Sequence, residues 1–133
     1  MILLVEDDPA DVELTLRALK GNNIANEIHV ARDGAEALDF LHSATQRPRV
    51  VLLDLKLPKV SGIEVLREIR RDPRNKLMPV VVMTSSREEP DVATCYALGV
   101  NSYIVKPVEF EAFAKAVADV GLYWLLLNQP PPL

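Results

Sequence analysis

Two short runs decide what this chain can become. Val50-Val51-Leu52-Leu53 and Val80-Val81-Val82-Met83 are apolar at every position instead of at every second one. A strand with one face in water alternates, because successive side chains point to opposite faces. A strand that is apolar throughout is covered on both faces, which places it in a parallel sheet sandwiched between helices. Three further apolar runs, Ile2–Val5, Ile28–Ala31 and Tyr103–Val105, extend the pattern, and a helical segment follows each of the five. Strands alternating with helices form right-handed βα units, so the chain is predicted to be an α/β domain.

The helices carry boundary signals. Asp8-Pro9 is a capping acid followed by a proline in the first turn, with Val12, Leu16 and Leu19 behind it and Gly21 at the far end. Asp33-Gly34 opens a second helix whose inner face is Ala37, Leu38 and Leu41. Ser61 caps a third, with Ile63, Leu66 and Ile69 in line and Pro73 ending the run. Val92, Tyr96 and Gly99 outline a fourth; the fifth starts near Glu109 and carries Phe110, Phe113, Val117 and Val120.

Composition narrows the function. A chain of 133 residues, 49% hydrophobic and 26% charged, has the makeup of one globular domain. Its net charge of −4 offers no basic footprint for nucleic acid. Met1–Val5 runs straight into Glu6-Asp7-Asp8, too soon for a signal peptide, and Leu122–Leu127 is too short to span a bilayer. No membrane contact is expected. The single Cys95 rules out an intrachain disulfide and a cysteine zinc cluster, and a reducing cytoplasm suits it best.

In an open parallel sheet the functional crevice lies beyond the carboxyl ends of the strands. Glu6-Asp7-Asp8 follows the first strand, Asp54 the third, Thr84-Ser85 the fourth and Lys106 the fifth. Crowded carboxylates repel one another unless a hard cation neutralises them, and magnesium prefers oxygen ligands while bridging carboxylates to phosphate. A carboxylate can also be a nucleophile and form an aspartyl-phosphate. Lys106 and the Thr84 hydroxyl could then neutralise the phosphoryl oxygens. Taken alone, Glu6-Asp7-Asp8 reads equally well as a solvated surface, and Tyr103 as core packing. Asp54 differs, since a lone acid after four apolar strand residues is costly unless paired or metal-bound. His29, His42 and Cys95 have no partner pattern and read as structural.

Together and in this order, these residues resemble the receiver domain of two-component response regulators, the CheY-like family, up to about Val120. The match is carried by Glu6-Asp7, Val51-Leu52-Leu53-Asp54-Leu55, Leu57-Pro58…Gly62, Thr84 and Lys106-Pro107. The resemblance implies a flavodoxin-like, doubly wound, five-stranded parallel sheet of order 2-1-3-4-5 with five helices. It implies Asp54 as phosphoacceptor, assisted by Lys106 and Thr84. It implies Mg2+, with Mn2+ able to substitute, held by Asp7, Asp54 and the backbone carbonyl of Lys56, with Glu6 on a metal-bound water. A cis peptide at Lys106-Pro107 is also implied. So is a switch in which Thr84 moves toward the phosphoryl group and Tyr103 swings inward, remodelling the face of helix four, strand five and helix five. Such a protein is a signalling acceptor, not an enzyme, although it assists its own phosphoryl transfer and slow self-dephosphorylation.

A narrower resemblance is to the single-domain regulators that serve phytochrome-type histidine kinases. It rests on Val5-Glu6-Asp7-Asp8-Pro9-Ala10-Asp11, on Asn101-Ser102-Tyr103-Ile104-Val105-Lys106-Pro107 and on Tyr123-Trp124. It implies such a kinase as the partner. A haloacid-dehalogenase-type phosphohydrolase would carry its nucleophile after the first strand in a D-x-D arrangement. A nucleotide-binding protein would need a glycine-rich phosphate loop, whereas the five glycines here are scattered. A non-phosphorylated interaction module would not need the intact acceptor, acid, hydroxyl and lysine.

The last residues set a separate expectation. Residues 1–121 form the receiver and 122–133 an apolar extension of the last helix with a proline tail. Leu122, Tyr123, Trp124, Leu125, Leu126 and Leu127 are apolar in succession, and in a helix they would face every direction. The sheet can cover one side only, which leaves an apolar patch suited to a two-fold homodimer with Tyr and Trp as anchors. The alternative is that the segment folds back over its own core.

Overall fold

Strands apolar on both faces need two layers of cover, and they have them. The computed structural model describes residues 1–21, 27–43, 47–106 and 109–131, the side chains of Phe110 and Leu126 excepted. In chain order the elements are β1 (Ile2–Val5), α1 (Pro9–Gly21), β2 (Ile28–Ala31), α2 (Gly34–Ser43), β3 (Val50–Leu53) and α3 (Gly62–Arg71). They continue with β4 (Val80–Thr84), α4 (Glu89–Ala97), β5 (Ser102–Val105) and α5 (Phe110–Leu122). All strand pairs are parallel, in the order β2-β1-β3-β4-β5. This is the flavodoxin-like arrangement that the sequence pattern and its resemblance led us to expect.

The two-residue period of the strands divides the core. Leu3, Val5, Val51, Leu53, Val80 and Val82 point to one side, against Ala37 and Leu41 of α2 and Val65, Leu66 and Ile69 of α3. Ile2, Leu4, Val50, Leu52, Val81 and Met83 point to the other, against Val12 and Leu19 of α1 and Phe113 and Val117 of α5. A slip of one residue would exchange the two sets, so packing on both sides fixes the register.

Local chemistry sets the helix ends. The Ser61 hydroxyl accepts the Glu64 N–H at 3.3 Å and caps α3. Gly99, at φ 73°, takes the left-handed conformation that stops the chain after α4. In α4 the fully buried side chain is Cys95, while Tyr96 is 54% exposed. His29 stacks on Phe40 with ring centroids 4.1 Å apart, which agrees with a structural part.

The C-terminal segment departs from a plain helix. After Leu122 the chain widens into a π-helical turn over Tyr123–Leu127. Trp124 and Leu125 turn back onto the core on the α1 and α5 side of the sheet, whereas Leu122, Tyr123 and Leu127 are exposed. Arg49 donates to the Leu125 carbonyl at 3.1 Å and ties this turn to the start of β3. Part of the extension thus folds back over its own core, and part of it is exposed. Among the described residues, no helix is long and apolar enough to cross a membrane.

Candidate functional site

The register builds the site. Val5 pairs with Leu53, so the next residues, Glu6 and Asp54, emerge side by side at the carboxyl edge. The Asp54 N–H donates to the Val5 carbonyl and the Glu6 N–H to that of Ala31, both at 3.0 Å. The chain leaves β1 for β2 on one side and reaches β3 on the other, which opens the crevice where this fold binds ligands. At β5 the Lys106 N–H donates to the Thr84 carbonyl at 2.8 Å and brings the lysine to the same edge.

Gly62 closes the loop behind the acceptor. A Cβ there would lie 2.2 Å from the Asp54 carbonyl oxygen and 2.5 Å from Leu55 Cα. Only a residue without a side chain lets the start of α3 approach so closely, and the Gly62 N–H donates to the Leu55 carbonyl at 2.9 Å.

Within the crevice Glu6 and Asp54 are buried, while Asp7 is exposed. Lys106 Nζ donates to Asp54 Oδ2 at 3.1 Å, to Asp11 Oδ2 at 2.8 Å and to Glu6 Oε1. Asp8 is turned away: its Oδ1 accepts the Ala10 N–H at 2.9 Å, as the cap of α1. Lys56 lies on the loop after Asp54 and its N–H donates to Asp54 Oδ1 at 3.3 Å. Thr84 is fully buried, and its hydroxyl accepts the Ser86 N–H at 3.4 Å. Tyr103 is half-buried and donates its hydroxyl to the Ser86 carbonyl at 3.0 Å. Ser86 in turn donates to Asp91 Oδ2 at 2.6 Å. Pro107, and with it the expected cis peptide, lies outside the described residues.

The structure therefore brings together Glu6, Asp54, Thr84 and Lys106, with Asp7 at the rim. Sequence reasoning missed Asp11 on the lysine and Asp91, whose bond to Ser86 lies beneath Tyr103. A signal existed for Asp11, because it stands four residues before Thr15 on the buried stripe of α1.

Electrostatics separates the two buried acids. Burial pushes Glu6 up to about 7; its hydrogen bond to Lys106 opposes this, and the charge of Asp54 adds to it. Burial would raise Asp54 too, but the Lys106 charge and hydrogen bonds from Glu6, Lys106 and Thr84 outweigh it and hold Asp54 below its ordinary value. Burial works against the Lys106 ammonium, yet hydrogen bonds to Asp11 and Glu6 leave it more firmly protonated than usual. At neutral pH Glu6 is about half-protonated, while Asp54 is ionised.

The donor set suits a hard divalent cation. Glu6, Asp7 and Asp54 each offer one carboxylate oxygen, and these lie within 4.8 Å of one another. A cation entering this set displaces the Glu6 proton, so binding and ionisation are linked. Apparent Mn2+ affinity should rise steadily as the pH is raised to about 7 and level off above it, and Glu6→Gln should flatten that rise. An affinity independent of pH in the parent protein contradicts the shared proton. The sign for stability is opposite. A carboxyl raised on folding from 4.5 to about 7 contributes stability to the cation-free protein below pH 4.5, and that stability is lost as the pH rises through 7.

A family model for the response regulator receiver domain matches residues 2–118. The chain belongs to that family. This receiver is 44% identical over 135 residues to the probable methanogenesis regulatory protein FilR2 of Methanothrix harundinacea, covering 98% of this chain and 87% of the relative. It is 42% identical over 130 residues to response regulator Rcp1 of Synechocystis, covering 94% and 88%. It superposes on the crystal structure of the Mn2+-bound form of Rcp1 with a TM-score of 0.92, at 41% identity and 98% coverage of both chains. With the phosphorylated cyanobacterial phytochrome response regulator RcpA the TM-score is 0.93, at 39% identity, covering 98% and 97%.

Proposed function

We propose that this receiver accepts a phosphoryl group on Asp54 from a phytochrome-type histidine kinase and signals through the protein surface that phosphorylation remodels. One observation carries the reading: a buried, ionised aspartate at the end of the central strand faces a lysine ammonium 3.1 Å away. The motifs shared with phytochrome response regulators, and the likeness to Rcp1 and RcpA, support the choice of kinase.

The chemistry follows from the residues. An Asp54 oxygen attacks the phosphorus of the kinase phosphohistidine; the P–N bond breaks, and the imidazole nitrogen leaves with its electron pair. Lys106 turns its ammonium from the carboxylates to a phosphoryl oxygen, and the Thr84 hydroxyl moves toward another. Asp7, Asp54, the Lys56 carbonyl and, through a water, Glu6 would hold Mg2+ or Mn2+, which when bound supplies positive charge to the phosphoryl oxygens. Movement of Thr84 loosens the segment that ends at Ser86, whose carbonyl holds the Tyr103 hydroxyl, so Tyr103 repacks and the face of α4, β5 and α5 changes. The protein acts in the cytoplasm as an acceptor, not as a turnover enzyme, and slow self-dephosphorylation resets it. Incubation with an autophosphorylated phytochrome-type kinase and Mg2+ tests this. Label should pass from kinase to receiver and stay behind when EDTA is added; label that remains on the kinase despite Mg2+ overturns the partner.

The exposed apolar groups after Val120 serve a homodimer. Leu122, Tyr123 and Leu127 are 42%, 49% and 68% exposed and continue from Trp124 and Leu125, which pack on their own core. A two-fold pairing would cover the same patch on both copies. Sedimentation should show a dimer for the full chain and a monomer for Leu122→Ser/Leu127→Ser, which leaves the core side chains intact. A monomeric parent ends this idea.

A further inference from the structure

The lysine at the end of β5 has one more acidic partner than phosphoryl chemistry requires. Its ammonium donates to Glu6, Asp54 and Asp11 together, using the three protons it has. Glu6 and Asp54 belong to the carboxylate set that fits a divalent cation; Asp11 does not. It reaches the ammonium from the first turn of α1, at 2.8 Å, the shorter of the two carboxylate distances given above. Its side chain is 27% exposed, against 4% for Glu6 and 11% for Asp54.

We infer that Asp11 is a positioning residue for Lys106: it keeps the ammonium when a divalent cation takes Glu6 and Asp54. This rests on the reading of Glu6, Asp7 and Asp54 as the cation site. A cation and an ammonium repel each other, so a cation bound to these two carboxylates weakens their hold on the ammonium. Once displaced, the Lys106 side chain, only 11% exposed, would be a nearly buried charge without a partner. Asp11 removes that penalty, since one of the three hydrogen bonds survives cation entry. Its partial exposure also makes it a weaker holder than a buried acid, because water competes for its oxygens. The ammonium can therefore leave Asp11 for a phosphoryl oxygen when one arrives on Asp54. Asp11 thus sets how easily the cation enters, and it holds the lysine within reach of the acceptor meanwhile.

A double-mutant cycle read by calorimetric titration with Mn2+ alone tests this. Asp11→Asn also weakens the general pull of negative charge on the cation, but that loss is the same whether or not a lysine is present. Asp11→Asn should reduce Mn2+ affinity about tenfold in the parent and less than about twofold in a Lys106→Met background. Asp11→Glu, which keeps the carboxylate, should recover most of the loss. Equal losses in the two backgrounds, or no loss in the parent, overturn the inference. Asp7→Asn serves as the control for the underlying site. If it leaves Mn2+ affinity unchanged, or if the parent binds no Mn2+, the cation reading fails and the Asp11 role fails with it. A strong Asp7→Asn effect without Asp11–Lys106 coupling removes the Asp11 role alone.

Discussion

An Asp54→Asn chain should fold as the parent does and take up no phosphoryl group, with labelling down by at least about a hundredfold. Asparagine keeps the shape of the side chain and loses the nucleophilic oxygen. No neighbour can replace it. Glu6 is the other buried acid, but its burial, which the substitution leaves in place, raises it and disfavours the ionised form that would attack. Asp7 is exposed at the rim, and Asp8 is committed to the Ala10 amide as a cap. Stability should fall slightly at neutral pH, because Asp54 is held below its ordinary value in the folded protein and asparagine loses the ionised partner of Lys106. Urea unfolding beside a radiolabel assay measures both effects. Full labelling of the variant would remove Asp54 from its role.

The second large effect separates two adjacent acids. Asp7→Asn should weaken Mg2+ or Mn2+ binding by about a hundredfold, whereas Asp8→Asn should change it by less than about threefold. Asp7 contributes an oxygen to the set within 4.8 Å, and no hydrogen bond draws its side chain elsewhere among those described. Asp8 spends its side chain on the first turn of α1, and asparagine caps a helix as well as aspartate does. Its variant should therefore also keep its stability. Titration calorimetry on both variants decides the matter, and equal losses would mean that the wrong acid has been assigned to the cation.

How legible each part was depended on whether one dimension of sequence carried its cause. The central strands could be read to within a residue, because burial on both faces writes itself as an uninterrupted apolar run. β4 runs one residue past Met83 to Thr84, and β5 begins one residue earlier, at Ser102, since polar residues continue the ladder without marking it. Glu6, Asp54, Thr84 and Lys106 were visible because each directly follows or ends a strand. Asp11 was not singled out, since its partner lies 95 positions away and only the fold, which sets α1 against α5 and brings Lys106 to the same edge, joins them. The Ser86–Asp91 bond was hidden for a similar reason, being made between a loop and the start of α4. The π-helical turn after Leu122 had no signal at all. A run of six apolar residues has no period from which a change of helix type could be read.

The most direct measurement of the central claim is chemical identification of the modified residue. The receiver is phosphorylated with acetyl phosphate and Mg2+, reduced with borohydride, digested, and sequenced by mass spectrometry. Borohydride converts an aspartyl-phosphate to homoserine, which marks the acceptor permanently. Homoserine at position 54, with none at Asp7 or Asp11 and no 5-hydroxynorvaline (the alcohol a glutamyl-phosphate would give) at Glu6, is the expected result. Homoserine at another position, or an unmodified Asp54 in a protein that carries label, would contradict the assignment.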